Sequence, residues 1–134
     1  MLTAARCRSQ PSAVRKSRSV VAGDIVDASL GDSILRLLAE HRVPALRLVL
    51  EITESAMMID PIAATHNMEF LRVAGVRFAI DDFGTGYSSL AYLRELPVTT
   101  MKIDREFVTN IVGSPRDRAL LATMVSMAEA LDLW

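Results

Sequence analysis

The apolar positions of the chain change period several times between Asp24 and Trp134. Leu30, Ile34, Leu37, Leu38 and His41 recur at helical spacing, which predicts an amphipathic helix ended by Pro44. Arg47–Ile52 is short and Leu/Val-rich, the pattern of a strand buried on both faces. Asp60-Pro61 reads as an N-cap with proline at the first helical position. Ile62, His66, Phe70 and Val73 are expected on the inner face of that helix, and Gly75 at its stop. Val76–Ile80 is a second strand, followed by an Asp- and Gly-rich loop, Asp81–Gly86. Ser88 or Ser89 is expected to cap a short helix running to Glu95 and closed by Pro97. Thr99–Ile103 is a third strand. Ser114-Pro115-Arg116-Asp117 reads as a capping box opening a last helix with Leu120, Leu121, Met124, Ala128 and Leu131 on one face.

One helix followed by three strand–helix units predicts an α/β fold with a parallel sheet covered by helices. The candidates are a doubly wound sheet and a (β/α)8 barrel of the TIM type. A closed barrel needs about 250 residues, so the 134 residues here supply about half of one.

Composition narrows the function classes. At 51% hydrophobic and 23% charged, the chain is able to bury a core. Its apolar runs are short and broken by charges, so no membrane-spanning segment is expected. Cys7 is the only cysteine, which excludes an internal disulfide and a cysteine zinc cluster. A net charge of -1 argues against a general nucleic-acid binder. That balance is uneven, because residues 1–18 carry five bases and no acid. Residues 19–134 carry 10 bases and 16 acids. The basic stretch has no hydrophobic period, so residues 1–18 are expected to be an unstructured leader of separate origin.

Chemistry in parallel α/β folds sits beyond the C-terminal ends of the strands. Those ends carry Glu51 and Glu54, then Asp81 and Asp82, then Lys102 and Asp104. Glu51 and Asp81 are 30 residues apart, and Asp81 and Lys102 are 21 apart, each one strand–helix unit. The three ends should therefore lie side by side. Converging carboxylates without His or Cys suit a hard cation such as Mg²⁺ or Mn²⁺. Two such ions clamp the attacking and leaving oxygens in phosphodiester hydrolysis. Lys102 is placed to orient the nucleophilic water or to stabilise phosphate charge. Asp82-Phe83-Gly84 also matches the magnesium motif of kinases, but no Gly-rich loop or His-Arg-Asp segment accompanies it.

Leu50-Glu51-Ile52-Thr53-Glu54, Asp81-Asp82-Phe83-Gly84-Thr85-Gly86-Tyr87-Ser88-Ser89-Leu90 and Lys102-Ile103-Asp104-Arg105 together resemble the EAL domain of bacterial cyclic-di-GMP phosphodiesterases. Order and spacing match as well as the words. The resemblance implies a modified (β/α)8 barrel that cleaves cyclic-di-GMP to pGpG with two Mg²⁺ or Mn²⁺ ions. It implies that Glu51, Asp81 and Asp82 are metal ligands and that Lys102 lies near the nucleophilic water. Glu54 resembles the glutamate that anchors the DDFG loop. The resemblance further implies dimerisation through that loop and the following helix, and a cytoplasmic location, where cyclic-di-GMP signalling works.

Other parts of the family pattern are not in these 134 residues. No Glu-Ala-Leu strand lies upstream, and the position of the family's asparagine ligand falls on Ser19. A further glutamate and a glutamine of the family would follow the last helix. The resemblance spans roughly Asp27–Leu133, and residues 19–134 are expected to form a partial EAL domain that is inactive by itself; the alternatives are a non-catalytic nucleotide- or protein-binding module and a non-functional gene remnant. An incomplete barrel is expected to leave two open sheet edges, at Arg47–Ile52 and Thr99–Ile103.

Overall fold

The computed structural model describes residues 16–19, 24–84 and 93–133. Four parallel strands form one sheet in the order β1 (Lys16–Ser19), β2 (Leu48–Thr53), β3 (Arg77–Phe83) and β4 (Thr100–Ile103). The helices are α1 (Leu30–Glu40), the four-residue α2 (Glu54–Met57), α3 (Pro61–Val73), the short α4 (Arg105–Thr109) and α5 (Pro115–Ala130). Consecutive strands lie side by side, with α1 between β1 and β2 and with α2 and α3 between β2 and β3, the architecture of a partial (β/α)8 barrel.

The first strand corrects an expectation. Lys16–Arg18, expected to belong to an unstructured leader, pair together with Ser19 against Leu48–Glu51. A strand contributes through its backbone, so the lack of a side-chain period did not prevent pairing along an otherwise open parallel edge. The β2 edge expected to be bare is therefore covered. The remainder of the expected leader, residues 1–15, lies outside the described residues.

Leu50, Ile52, Phe78, Ile80 and Met101 point to one face of the sheet and form the core with Ile25, Met68, Leu71 and Val76 from the helical layer and its loops. Side chains alternate along a strand. Val49, Glu51, Ala79, Asp81 and Lys102 accordingly belong to the opposite face, which would look inward in a closed barrel. Val49 and Ala79 are buried there too, as expected for strands covered on both sides.

Local signals in the sequence act as read. Asp60 Oδ1 accepts from Ala63 N–H at 3.0 Å ahead of Pro61, and Ser114 Oγ accepts from Asp117 N–H at 3.1 Å ahead of Pro115. Gly75 adopts φ +102° after α3, a conformation with no penalty for glycine.

The expected inner face of α3 is wrong by a rotation of the helix. Ile62 and Val73 are 83% and 76% exposed, His66 is exposed, and Phe70 is nearly half exposed. The buried set is Ala64, Asn67, Met68 and Leu71. This stripe also has helical spacing, but it contains a polar residue. Phe70 packs against α1 instead, where its ring leaves room for hydrogen only at Gly31. A Cβ there would lie 2.6 Å from Phe70 Cδ1. On α1, Leu30, Ile34, Leu35 and Leu38 meet the core, whereas Leu37 and His41 are exposed. On α5, Leu121, Met124, Ala128 and Leu131 face inward, but Leu120 is turned out, 41% exposed. The helix expected from Ser88 or Ser89 falls largely outside the described residues; near its end Leu93 and Leu96 are buried.

Candidate active site

Glu51 enters the site as the fourth residue of β2, with its neighbours Leu50 and Ile52 locked in the core. In the parallel register it stands between Ser19 of β1 and Ala79 of β3. Asp81 follows two residues beyond Ala79 on the same face, paired with Thr53. Strand β3 runs to Phe83, so both aspartates lie within the strand rather than in the loop expected to begin at Asp81.

The sheet is irregular at this point. Ile80 pairs with Met101 and Phe83 with Ile103, so Asp81 and Asp82 together oppose the single residue Lys102. That is the two-against-one count of a β-bulge, which re-aims side chains at the end of a strand. Asp82 absorbs the extra residue with φ +55°. Aspartate tolerates this left-handed conformation better than most residues with a Cβ.

Three of the expected site residues meet. The Lys102 ammonium donates to Asp81 Oδ1 at 2.9 Å and to Glu51 Oε2 at 3.0 Å. Three consecutive strand ends are thereby tied by one side chain. The hydrogen bond to Asp81 foremost, opposed by burial and aided by Glu51, raises the Lys102 pKa above its ordinary value. The ammonium is charged throughout the physiological range.

Asp82 is not drawn into that cluster. It is exposed. The negative charge of Asp81 is the main cause of its raised pKa. Burial and Asp104 add to it, and Lys102 works the other way. Asp104 also caps α4, accepting from Glu106 N–H at 2.7 Å.

Glu54 opens α2 just after Thr53, whose Oγ1 accepts from Ala56 N–H at 3.3 Å. The residue is buried, 7% exposed, and neither carboxylate oxygen has a hydrogen-bond partner among the described residues. A buried, unpaired carboxylate is costly. The DDFG loop past Gly84, the expected partner of Glu54, lies outside the described residues, as does most of the surface expected to dimerise.

The donor set fits part of a shell for a hard divalent ion. Two carboxylates from adjacent strands already enclose one cation, the Lys102 ammonium. Every acceptor there is a carboxylate oxygen, which suits magnesium or manganese and not a thiophilic metal. Among the described residues no three His, Cys, Asp or Glu side chains close on a common point. The sequence pattern does not reveal the buried amide of Asn67, a polar residue on an apolar stripe, or the turn of Asp82 away from the cluster, which depends on a bulge.

A parallel α/β half-barrel with carboxylates and a lysine at its C-terminal edge belongs to the barrel class that carries its chemistry on that edge. The family model for the EAL domain matches residues 4–133, and the chain belongs to the EAL domain family. It is 41% identical over 120 residues to the cyclic di-GMP phosphodiesterase NbdA of Pseudomonas aeruginosa, a match covering 90% of this chain and 15% of that protein. The solved PaMucR phosphodiesterase in complex with c-di-GMP is 38% identical with a TM-score of 0.82, covering 87% of this chain and 47% of that one. BlrP1 of Klebsiella pneumoniae, solved with manganese and cyclic-di-GMP, is 27% identical with a TM-score of 0.79, covering 87% of this chain and 30% of that one. The chain thus spans less than half the length of each of these relatives. No described helix is long and apolar enough to cross a membrane.

Proposed function

We propose that this chain is a portion of a metal-dependent cyclic-di-GMP phosphodiesterase. The observation that carries the reading is the junction of Glu51, Asp81 and Lys102 across three adjacent strand ends. Relatives named as cyclic di-GMP phosphodiesterases, and solved complexes with that dinucleotide, support the substrate class. In this reading Glu51, Asp81 and Asp82 are ligands for Mg²⁺ or Mn²⁺, which supply the Lewis acid and the activated water. Lys102 stands beside the reacting phosphate, and Glu54 anchors the DDFG loop. The loop and the following helix form the dimer contact, and the protein works in the cytoplasm.

The 134-residue span is proposed not to turn over by itself. Ser19 stands beside Glu51 in the sheet, at the place where the family resemblance puts an asparagine ligand. This favours a second reading, in which the span binds the dinucleotide or a partner protein without hydrolysing it. An assay for pGpG release from cyclic-di-GMP with Mn²⁺ separates the two. The first reading expects no turnover by the span and turnover when the rest of the barrel is supplied. Absence of turnover from the completed barrel refutes it and leaves the binding reading.

A further inference from the structure

Resting on the metal-site reading above, we propose that Lys102 is the built-in occupant of the cation position between Glu51 and Asp81, and that a divalent ion binds there by displacing it. The ammonium lies within hydrogen-bond distance of both carboxylates, 3.0 Å from one and 2.9 Å from the other. Glu51 and Asp81 are well covered, with side chains 14% and 23% exposed, and are held by a sheet that fixes their backbones. Two carboxylates facing each other at this depth repel unless a cation lies between them. Among the described ion pairs, Lys102 is the only cation that either one meets.

An ammonium and a divalent ion held by the same two acids would repel strongly in a partly desolvated site, so binding of one disfavours the other. Lys102 has a way out. Its side chain is 42% exposed and ends a flexible four-carbon stem. The trio carries one net negative charge with Lys102 and two without it. Lys102 therefore keeps the metal-free site assembled and weakens its hold on the metal. This role differs from orienting water or phosphate, which predicts no gain in metal affinity when the lysine is lost.

The test uses the full chain and Mn²⁺ alone, with free Mn²⁺ read by electron paramagnetic resonance and thermal melts run with chelator and with Mn²⁺. Lys102→Met is expected to bind Mn²⁺ about tenfold more tightly than the wild type, the loss of one charge-assisted contact. Its metal-free melt should fall and its Mn²⁺-induced rise should exceed that of the wild type. Lys102→Arg should stay near the wild type in both. Equal or weaker Mn²⁺ binding by Lys102→Met overturns displacement while leaving the metal site standing. No Mn²⁺ binding by either chain overturns the metal site and displacement together. Magnetic resonance of the wild-type lysine ammonium groups during Mg²⁺ titration gives a readout that needs no stable variant. The Lys102 signal should lose its hydrogen-bonded shift as Mg²⁺ binds, and an unmoved signal at saturation refutes the proposal.

Discussion

The buried side-chain amide of Asn67 donates to the carbonyl of Ile25 at 2.8 Å, across 42 residues of sequence. A second hydrogen of the same amide reaches the carbonyl of Asp27 at 3.0 Å. One residue of α3 thus satisfies the turn that leads into α1, and that turn carries Ile25, fully buried in the core. Asn67→Ala leaves both carbonyls without this donor and should cost about 1–3 kcal/mol. Urea denaturation measures it. A loss below about 0.3 kcal/mol contradicts the assignment, since ordinary surface changes fall in that range.

The rotation of α3 has its own consequence. Leu71 is fully buried, so Leu71→Ala should cost about 2–5 kcal/mol through lost burial and a cavity. Ile62, at 83% exposure, should tolerate alanine within about 0.5 kcal/mol. Paired denaturation curves decide between the two helix faces, and the opposite ranking would restore the face expected from periodicity.

That face illustrates where the sequence was legible and where it was not. Caps, stops and strand identities came from local chemistry: Asp60, Ser114 and Gly75 act within a few residues of themselves. The meeting of Glu51, Asp81 and Lys102 followed from strand order, because parallel neighbours one crossover apart must align. The helix face is not legible because two stripes of α3 share the same period, and the more apolar of the two is the exposed one. Asn67 sits on the buried stripe only because two distant carbonyls need donors. β1 was hidden because backbone pairing leaves no mark in side-chain pattern. The separation of Asp82 from Asp81 was hidden because a bulge is a property of two strands, not one.

Gly84 closes the site strand with φ +97°. A Cβ there would lie 2.7 Å from Met124 Cε and 3.1 Å from the Phe107 ring. Gly84→Ala should therefore cost about 1–3 kcal/mol from the backbone alone, with the contact added. Met124→Ala in the same chain should recover the contact part and leave the backbone part. Full recovery would show that only the contact matters.

Acid sensitivity should arise in part at Asp27. Its carboxylate accepts from the backbone and hydroxyl of Ser29, both at 2.8 Å, and these bonds hold its pKa below 3.8. A lowered carboxylate pKa contributes stability that is present above the unfolded value and is lost as pH falls through the folded one. The stability gap between wild type and Asp27→Ala should be constant above pH 5 and shrink below about pH 3.8. A gap that widens as the solution is acidified has the wrong sign for this bond.

The C-terminal edge of this sheet is proposed as a metal and cyclic-di-GMP site. Thermal unfolding of the purified chain, with and without Mn²⁺ plus cyclic-di-GMP, tests it most directly, with Asp81→Asn as the control. The account predicts one cooperative transition that the two ligands together move upward, and a smaller movement in Asp81→Asn. A cooperative transition that saturating ligands leave in place, or that moves equally in the variant, would contradict it.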